Sequence, residues 1–270
     1  MNSFFLRVLR VSVVSPDPTA SHPSPRRHRG RRESAEETFE FLPPCFLRAL
    51  RASVVSLVFL LASYAQVATQ ANKGYQTDAA RQRMAAGLSN PHRDESEKPR
   101  ELVREMGLQR GMTVADVGTG SGYMLPFLSH RVGPEGRVIA EDIYDDFLTT
   151  AKQAAETDKL ENVTFVKGTE TDPRLPPGKL DEVLVLDAYH HFNYPAQMLA
   201  GIHSALKPGG KLVVVDFYKT PQAMPNGRAM THIRLNKPDV IREIEANHFR
   251  LVDEKEHIPG SQYMLIMEKN

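Results

Sequence analysis

The chain has 270 residues, 41% of them hydrophobic and 25% charged, with a formal net charge of +1. That is enough apolar content for a sizeable core in one or two domains. Residues 1–70 carry nine Arg and five acidic residues, net +4, while the remainder carries 25 basic against 28 acidic residues, net −3; a mildly acidic domain lacks the clustered Lys and Arg of a nucleic-acid surface, so no nucleic-acid partner is expected.

The start is unlike the rest. SHPSPRRHRGRR (Ser21 to Arg32) is rich in Pro, Ser and Arg and has no apolar periodicity. Residues 1–46 therefore read as a disordered leader. Cys45 is the only cysteine, so neither an intramolecular disulfide nor a cysteine zinc site can form. In residues 47–71, Arg48 and Arg51 precede an apolar run from Ala52 to Ala65, and small residues sit at Ser63, Ala65, Ala68 and Ala71. Basic, then apolar, then small is the layout of a secretory signal. The run is short of the roughly 20 apolar residues of a membrane span. It predicts an exported, periplasmic or membrane-tethered protein, touching a membrane through this segment only, with a true start downstream of Met1. The alternative is a cytoplasmic protein with a buried apolar helix here.

Residues 72–270 read as one globular domain. Lys98–Gly107 is a predicted helix, with Leu102, Val103 and Met106 on one face. Strands and helices then alternate. Thr113–Val117, Arg137–Ala140, Val163–Lys167, Val183–Leu186 and Lys211–Phe217 are predicted strands. Met124–Val132, Phe147–Thr157 and Pro195–Leu206 are predicted helices, the last stopped by LKPGG. This order implies βαβ units in a parallel sheet buried on both faces. The end differs: after a helix over Pro238–Asn247, Phe249–Glu256 and Gln262–Glu268 are strands joined by IPGS. A connection this short makes an antiparallel hairpin.

VADVGTGSGY (Val114 to Tyr123) places Gly118, Gly120 and Gly122 between a strand and a helix. Such a turn lets a nucleotide approach the backbone near a helix N-terminus. A dinucleotide turn has the spacing GxGxxG. Here the spacing is GxGxG, and Tyr123 stands where the third glycine would be. The next strand ends in Glu141-Asp142, and an acid at that point accepts hydrogen bonds from ribose hydroxyls.

With EDI, NVTFVKGTETD, LDAYHHF and LKPGGKLVVVDF following in order, residues 98–270 resemble a class I S-adenosylmethionine-dependent methyltransferase of bacterial methyltransferase-domain type. The resemblance implies a Rossmann-like, doubly wound, mostly parallel seven-stranded sheet with a C-terminal antiparallel hairpin. It implies S-adenosyl-L-methionine as cofactor and methyl transfer to a small-molecule acceptor. Asp116, Gly118, Gly120 and Gly122 would line its methionine and ribose part, Asp142 would bind the ribose hydroxyls, and Thr169 and Glu170 would flank the adenine. Asp187 would lie beside the reacting methyl. An NAD(P)-dependent oxidoreductase and a catalytically inactive binding module are the alternatives.

A base is needed only where the acceptor must lose a proton. His190 and His191 follow the fourth strand at the ligand crevice and are the candidates; the other reading is that they only shape the loop. Tyr189 could contact substrate. No third ligand stands near the pair at a metal-site spacing, so no metal is expected. Tyr218–Asp239 is long and interrupted by Pro and Gly, as a lid would be, and His232 and Arg234 could reach substrate from it. Ser89–Pro99 could form the lid's other half.

Overall fold

The computed structural model describes residues 66–88 and 92–270. The leader, Cys45 and the apolar run lie outside the described residues. Among those described, no helix is long and apolar enough to cross a membrane.

The described chain begins with a segment that the sequence reading assigned to the signal-like stretch. Residues 66–71 dock on the domain instead. The N–H of Val67 donates to Asn193 O (3.1 Å) and that of Ala68 to Asn193 Oδ1 (3.2 Å), with Ala68 and Ala71 buried. Residues 66–71 therefore pack against the same domain as the residues that follow them. A 3-10 turn, Ala71–Tyr75, leads into α1 (Asp78–Leu88), then α2 (Arg93–Glu97) and α3 (Pro99–Met106). Pro99 opens α3 and Gly107 closes it at φ 76°, the expected Pro-first, Gly-last arrangement.

Alternation then follows as predicted: β1 (Thr113–Val117), α4 (Leu125–Val132), β2 (Arg137–Asp142), α5 (Asp145–Thr157), β3 (Val163–Lys167), β4 (Leu180–Leu186), α6 (Pro195–Ala205) and β5 (Leu206–Phe217). The small helix α7 (Ala229–His232) and α8 (Lys237–Glu245) precede β6 (Phe249–Ile258) and β7 (Gln262–Lys269). The sheet order is β3-β2-β1-β4-β5-β7-β6. β5, β7 and β6 pair antiparallel, and the other neighbours pair parallel.

β5 begins earlier than expected. LKPGG ends the helix, and Leu206 already pairs with Leu180. The register then shifts so that Glu182 pairs with Lys211. The Pro-Gly-Gly stretch is taken up as a bulge in the strand.

The core lies on both sheet faces. Val183, Val185, Leu212, Val214, Leu265 and Met267 pack on one side with α6. Val114, Val138, Leu184, Val213, Val215 and Met264 pack on the other with α3 and α4. Neighbours along β4 and β5 thus alternate between two buried faces, which explains their continuous apolar runs. Chain order reverses at β1: β2 and β3 build out one way, β4 and β5 the other. Open α/β sheets form their ligand crevice at that point, beyond the strands' carboxyl ends.

Glu182 interrupts the apolar β4. Its Oε1 is buried without a hydrogen-bond partner, and burial pushes its pKa up to about 8, with Lys211 acting weakly the other way. An acid whose pKa rises on folding contributes stability that is lost as pH climbs through the folded pKa. Glu182→Gln is uncharged at every pH. Its unfolding free energy, followed by urea denaturation, should gain on the wild type between about pH 5 and about pH 8. A difference independent of pH would contradict this.

Candidate functional site

The crevice is open at the ends of β1, β2 and β4. Gly118, Gly120 and Gly122 all have positive φ, at 75°, 55° and 84°. A side chain at Gly118 would meet Ala188 Cβ at 2.6 Å. This turn therefore needs glycine for its conformation and for its approach to the turn after β4. Gly118 and Gly120 line the cleft. Gly122, expected there too, sits against Leu125 and Ala151 and lets α5 pack close.

Asp142 ties the turn to the next strand. Its Oδ2 accepts from the Gly120 N–H (3.0 Å) and its Oδ1 from the Tyr144 N–H (2.9 Å). Burial pushes its pKa up to about 6, against the pull of these backbone donors. Asp116 accepts from the Thr119 hydroxyl (2.7 Å) and is also pushed by burial to about 6. Glu141, which the sequence reading noted and assigned no role, joins them at the cleft. Burial, with Asp142 beside it, holds its carboxyl well above the usual range, and its Oε1 has no partner.

Asp187 follows β4 at φ 53°, a conformation Asp tolerates better than most residues. Its Oδ1 accepts from Gln262 Nε2 (2.8 Å), and Arg93 approaches its Oδ2 at 3.6 Å. Burial and then Glu97 raise its pKa well above normal. Thr169 and Glu170 border the cleft as expected. Glu170 accepts from Asn193 Nδ2 (2.9 Å), and the Thr169 hydroxyl oxygen accepts from the Asp172 N–H (2.9 Å).

The cover over the cleft comes from before residue 98. Asn72, Tyr75, Leu88 and Arg93 all line it. Tyr75 stacks on Tyr144 and meets Phe147 and His191 edge-on. Arg81 pins this cover by donating to Asp146 (2.8 Å) and to Tyr75 O (2.9 Å). Arg93 lies over the Tyr123 ring at 4.0 Å. It is the one Lys or Arg lining the cleft among the described residues. Of the expected half-lid over Ser89–Pro99, Arg93 is the one that reaches the cleft among the described residues. Asn72 and Tyr75 carried no sequence signal beyond lying next to an apolar stretch.

His190 and His191 divide. His191 lines the cleft, with Nδ1 2.7 Å from Asn72 Oδ1. Burial, then the His190 and His232 rings, hold its pKa well below normal. His190 is buried outside the cleft lining, with Nδ1 2.7 Å from Asp216 Oδ1. The structure takes Tyr189 and Arg234 away from the cleft. The Tyr189 hydroxyl donates to Glu243 Oε1 (2.6 Å), and Arg234 bonds both oxygens of Glu243. Tyr189 thereby ties the turn after β4 to α8, and Arg234 braces the same carboxylate from the segment before α8. Most of Tyr218–Asp239 packs on itself through Ala223, Ala229 and Ile233. His232 is its inward contact, 4.9 Å from His190 and 5.3 Å from His191 between ring centroids.

A family profile described as a methyltransferase domain matches residues 108–259, more than half of the chain. The chain belongs to the methyltransferase-domain family. A ubiquinone/menaquinone biosynthesis C-methyltransferase of Marinomonas is 30% identical over 121 residues, 44% of this chain and 48% of that protein. A demethylmenaquinone methyltransferase of Listeria welshimeri is 26% identical over 117 residues, 43% of this chain and 50% of that one. The chain spans about half the length of the curated relatives it matches. A SAM-dependent methyltransferase from Aquifex aeolicus superimposes with a TM-score of 0.65 at 26% identity, over 70% of this chain and 98% of that one.

Family and structural likeness imply S-adenosylmethionine as the cofactor, and the residues of this methyltransferase domain fit it. Each Asp142 oxygen uses one acceptor site on a backbone donor and keeps another for a hydroxyl. Asp116, Glu141, Asp142, Glu170 and Asp187 make the cleft acid-rich, which suits a ligand bearing a sulfonium and an ammonium. Arg93 offers a partner for its carboxylate.

Asp142→Asn should weaken S-adenosylhomocysteine binding about tenfold or more, since a charged hydrogen bond is worth roughly 1.5–3 kcal/mol. Isothermal titration reads this, and an unchanged Kd contradicts the ribose role. Wild-type affinity should fall as pH drops through about 6, because Asp116 and Asp142 then take up protons and lose the charged form that accepts best.

Proposed function

We propose that the protein transfers the methyl group of S-adenosylmethionine to a small-molecule acceptor. The observation that carries this reading is Asp142, a buried carboxylate with acceptor capacity to spare, bonded to the turn that runs under the cleft. The names of the relatives, quinone-pathway methyltransferases, support a small acceptor.

When bound, the cofactor supplies a methyl group already activated on a sulfonium sulfur. The chain's work is holding and aligning. Asp142 holds the ribose hydroxyls, Thr169 and Glu170 border the base, and Arg93 pairs the carboxylate. Tyr75 and Leu88 exclude water from above. Asp187 and His191, at the end of β4, face the acceptor's side. Positioning of this kind supplies up to about 7–11 kcal/mol of a barrier in well-oriented cases. His191 is neutral and a weak base, because burial holds its pKa down. Its role is to position the acceptor.

S-adenosylmethionine labelled on the methyl carbon, incubated with a pool of small aromatic acceptors, should give labelled product. Binding of NADH without binding of S-adenosylhomocysteine would overturn the reading. So would cofactor binding without product across the pool, which favours a binding module. His191→Gln should lower kcat more than it weakens S-adenosylhomocysteine binding; equal losses would return His191 to a packing role.

We also propose that the segment before Gln66 is an export signal cleaved after Ala65. Ser63 and Ala65 have the spacing of a small-residue cleavage site, and residues 66–71 must stay to dock on Asn193. N-terminal sequencing of protein from native cells should begin at Gln66. A start at Asn72 or beyond, or a peptide covering Ser21–Arg32, would contradict this.

A further inference from the structure

Three histidines from two distant segments meet beside the cleft. His190 and His191 belong to the 3-10 turn Tyr189–His191 after β4, and His232 ends α7. One ligand nitrogen from each lies within 4.8 Å of the other two. The ring planes are inclined at 42°, 64° and 75° to one another, so the rings are not stacked in parallel.

Two of the rings are already oriented. His190 Nδ1 faces Asp216 Oδ1, and the other Asp216 oxygen accepts from the His190 N–H (3.0 Å). A carboxylate only accepts, so Nδ1 carries a proton and Nε2 is the nitrogen left to face a ligand. That Nε2 is buried and has no hydrogen-bond partner. Asn72 Nδ2 donates to His191 O (3.0 Å), which turns Asn72 Oδ1 toward His191 Nδ1. His191 Nδ1 is therefore the donor, which leaves Nε2 as its nitrogen for a ligand. His232 Nε2 has a long contact of 3.3 Å from the Arg228 guanidinium. Histidines that bind metals usually donate their other ring N–H to a carboxylate, carbonyl or water. His190 and His191 show that arrangement.

We propose that His190, His191 and His232 form a three-histidine site for a divalent transition ion of the zinc class. Three nitrogens each 2.0–2.1 Å from one ion stand about 3.3 Å apart, so ligation draws the rings together. His232 is the ring with the weakest hydrogen bond, and it exchanges the Arg228 contact for the ion. Three imidazoles leave a fourth position open. His191 is shared between the cluster and the cleft, so the ion lies at the cleft's edge. The open position suits an oxygen, nitrogen or sulfur of the methyl acceptor. That last role rests on the methyl-transfer reading; binding of the ion does not.

The test is zinc titration of metal-stripped, full-length protein, with S-adenosylhomocysteine binding measured on the same samples as the reporter of folding. Wild type should bind about one equivalent. Asp216→Asn should weaken zinc binding about 10–100-fold. His232→Ala should weaken it about tenfold or more while S-adenosylhomocysteine binding persists, and it avoids disturbing the buried His190. Less than stoichiometric zinc in the wild type overturns the site, as does His232→Ala protein that binds zinc as tightly as wild type. Zinc binding without S-adenosylhomocysteine binding upholds the site and contradicts the cofactor assignment. The opposite pair of results does the reverse.

Discussion

One buried carboxylate holds the cleft in shape. Asp142 bonds the Gly120 N–H on one oxygen and the Tyr144 N–H on the other. It thereby joins the turn after β1 to the turn after β2. Both turns carry cleft residues, and the cover before residue 98 rests on the second through Tyr144, Asp146 and Phe147. A carboxylate in that place is costly to bury, and its raised pKa records the cost. Charge there is useful only where a ligand brings donors to it.

The cleft has two walls of different character. On the β2 side, Asp116, Glu141 and Asp142 crowd acids together, and three of the protein's raised carboxyl pKa values arise there. On the β4 side, Asp187 gives way to the histidine turn. The first wall suits a polar, partly cationic cofactor. The second carries the ring of His191 and suits a group that must be placed against it. His191 belongs to both the cleft and the histidine cluster, and Asn72 of the cover fixes its tautomer. One residue of the cover thus also orients the ring.

Much of the fold was legible because its signals are local. Apolar runs such as LVVVDF, Pro at helix starts and Gly at helix ends need no tertiary knowledge. The individual strands and the terminal hairpin followed from them, and the family resemblance implied their assembly into one seven-stranded sheet. Where packing decides, reading failed. The early start of β5 depends on Leu206 pairing with Leu180 across a bulge. Residues 66–71 looked like the tail of an apolar segment because small apolar residues serve a cleavage site and a docked irregular segment equally well. The glycine turn and Asp142 stood out as a local pattern, while Asp116, Thr169, Glu170 and Asp187 were implied by the resemblance; all of them border the cleft. Tyr189 lies outside the cleft lining because it bonds Glu243, 54 residues further along the chain, a contact that no local signal announces. The approach of His232 to His190 and His191 is likewise a tertiary fact, with no spacing in the sequence to announce it.

The most direct measurement is a crystal structure of the complex with S-adenosylhomocysteine. The account predicts the nucleoside in the cleft, with both ribose hydroxyls hydrogen-bonded to Asp142 and the sulfur on the side of Asp187 and His191. A ligand bound elsewhere, or one whose ribose leaves Asp142 untouched, would contradict it.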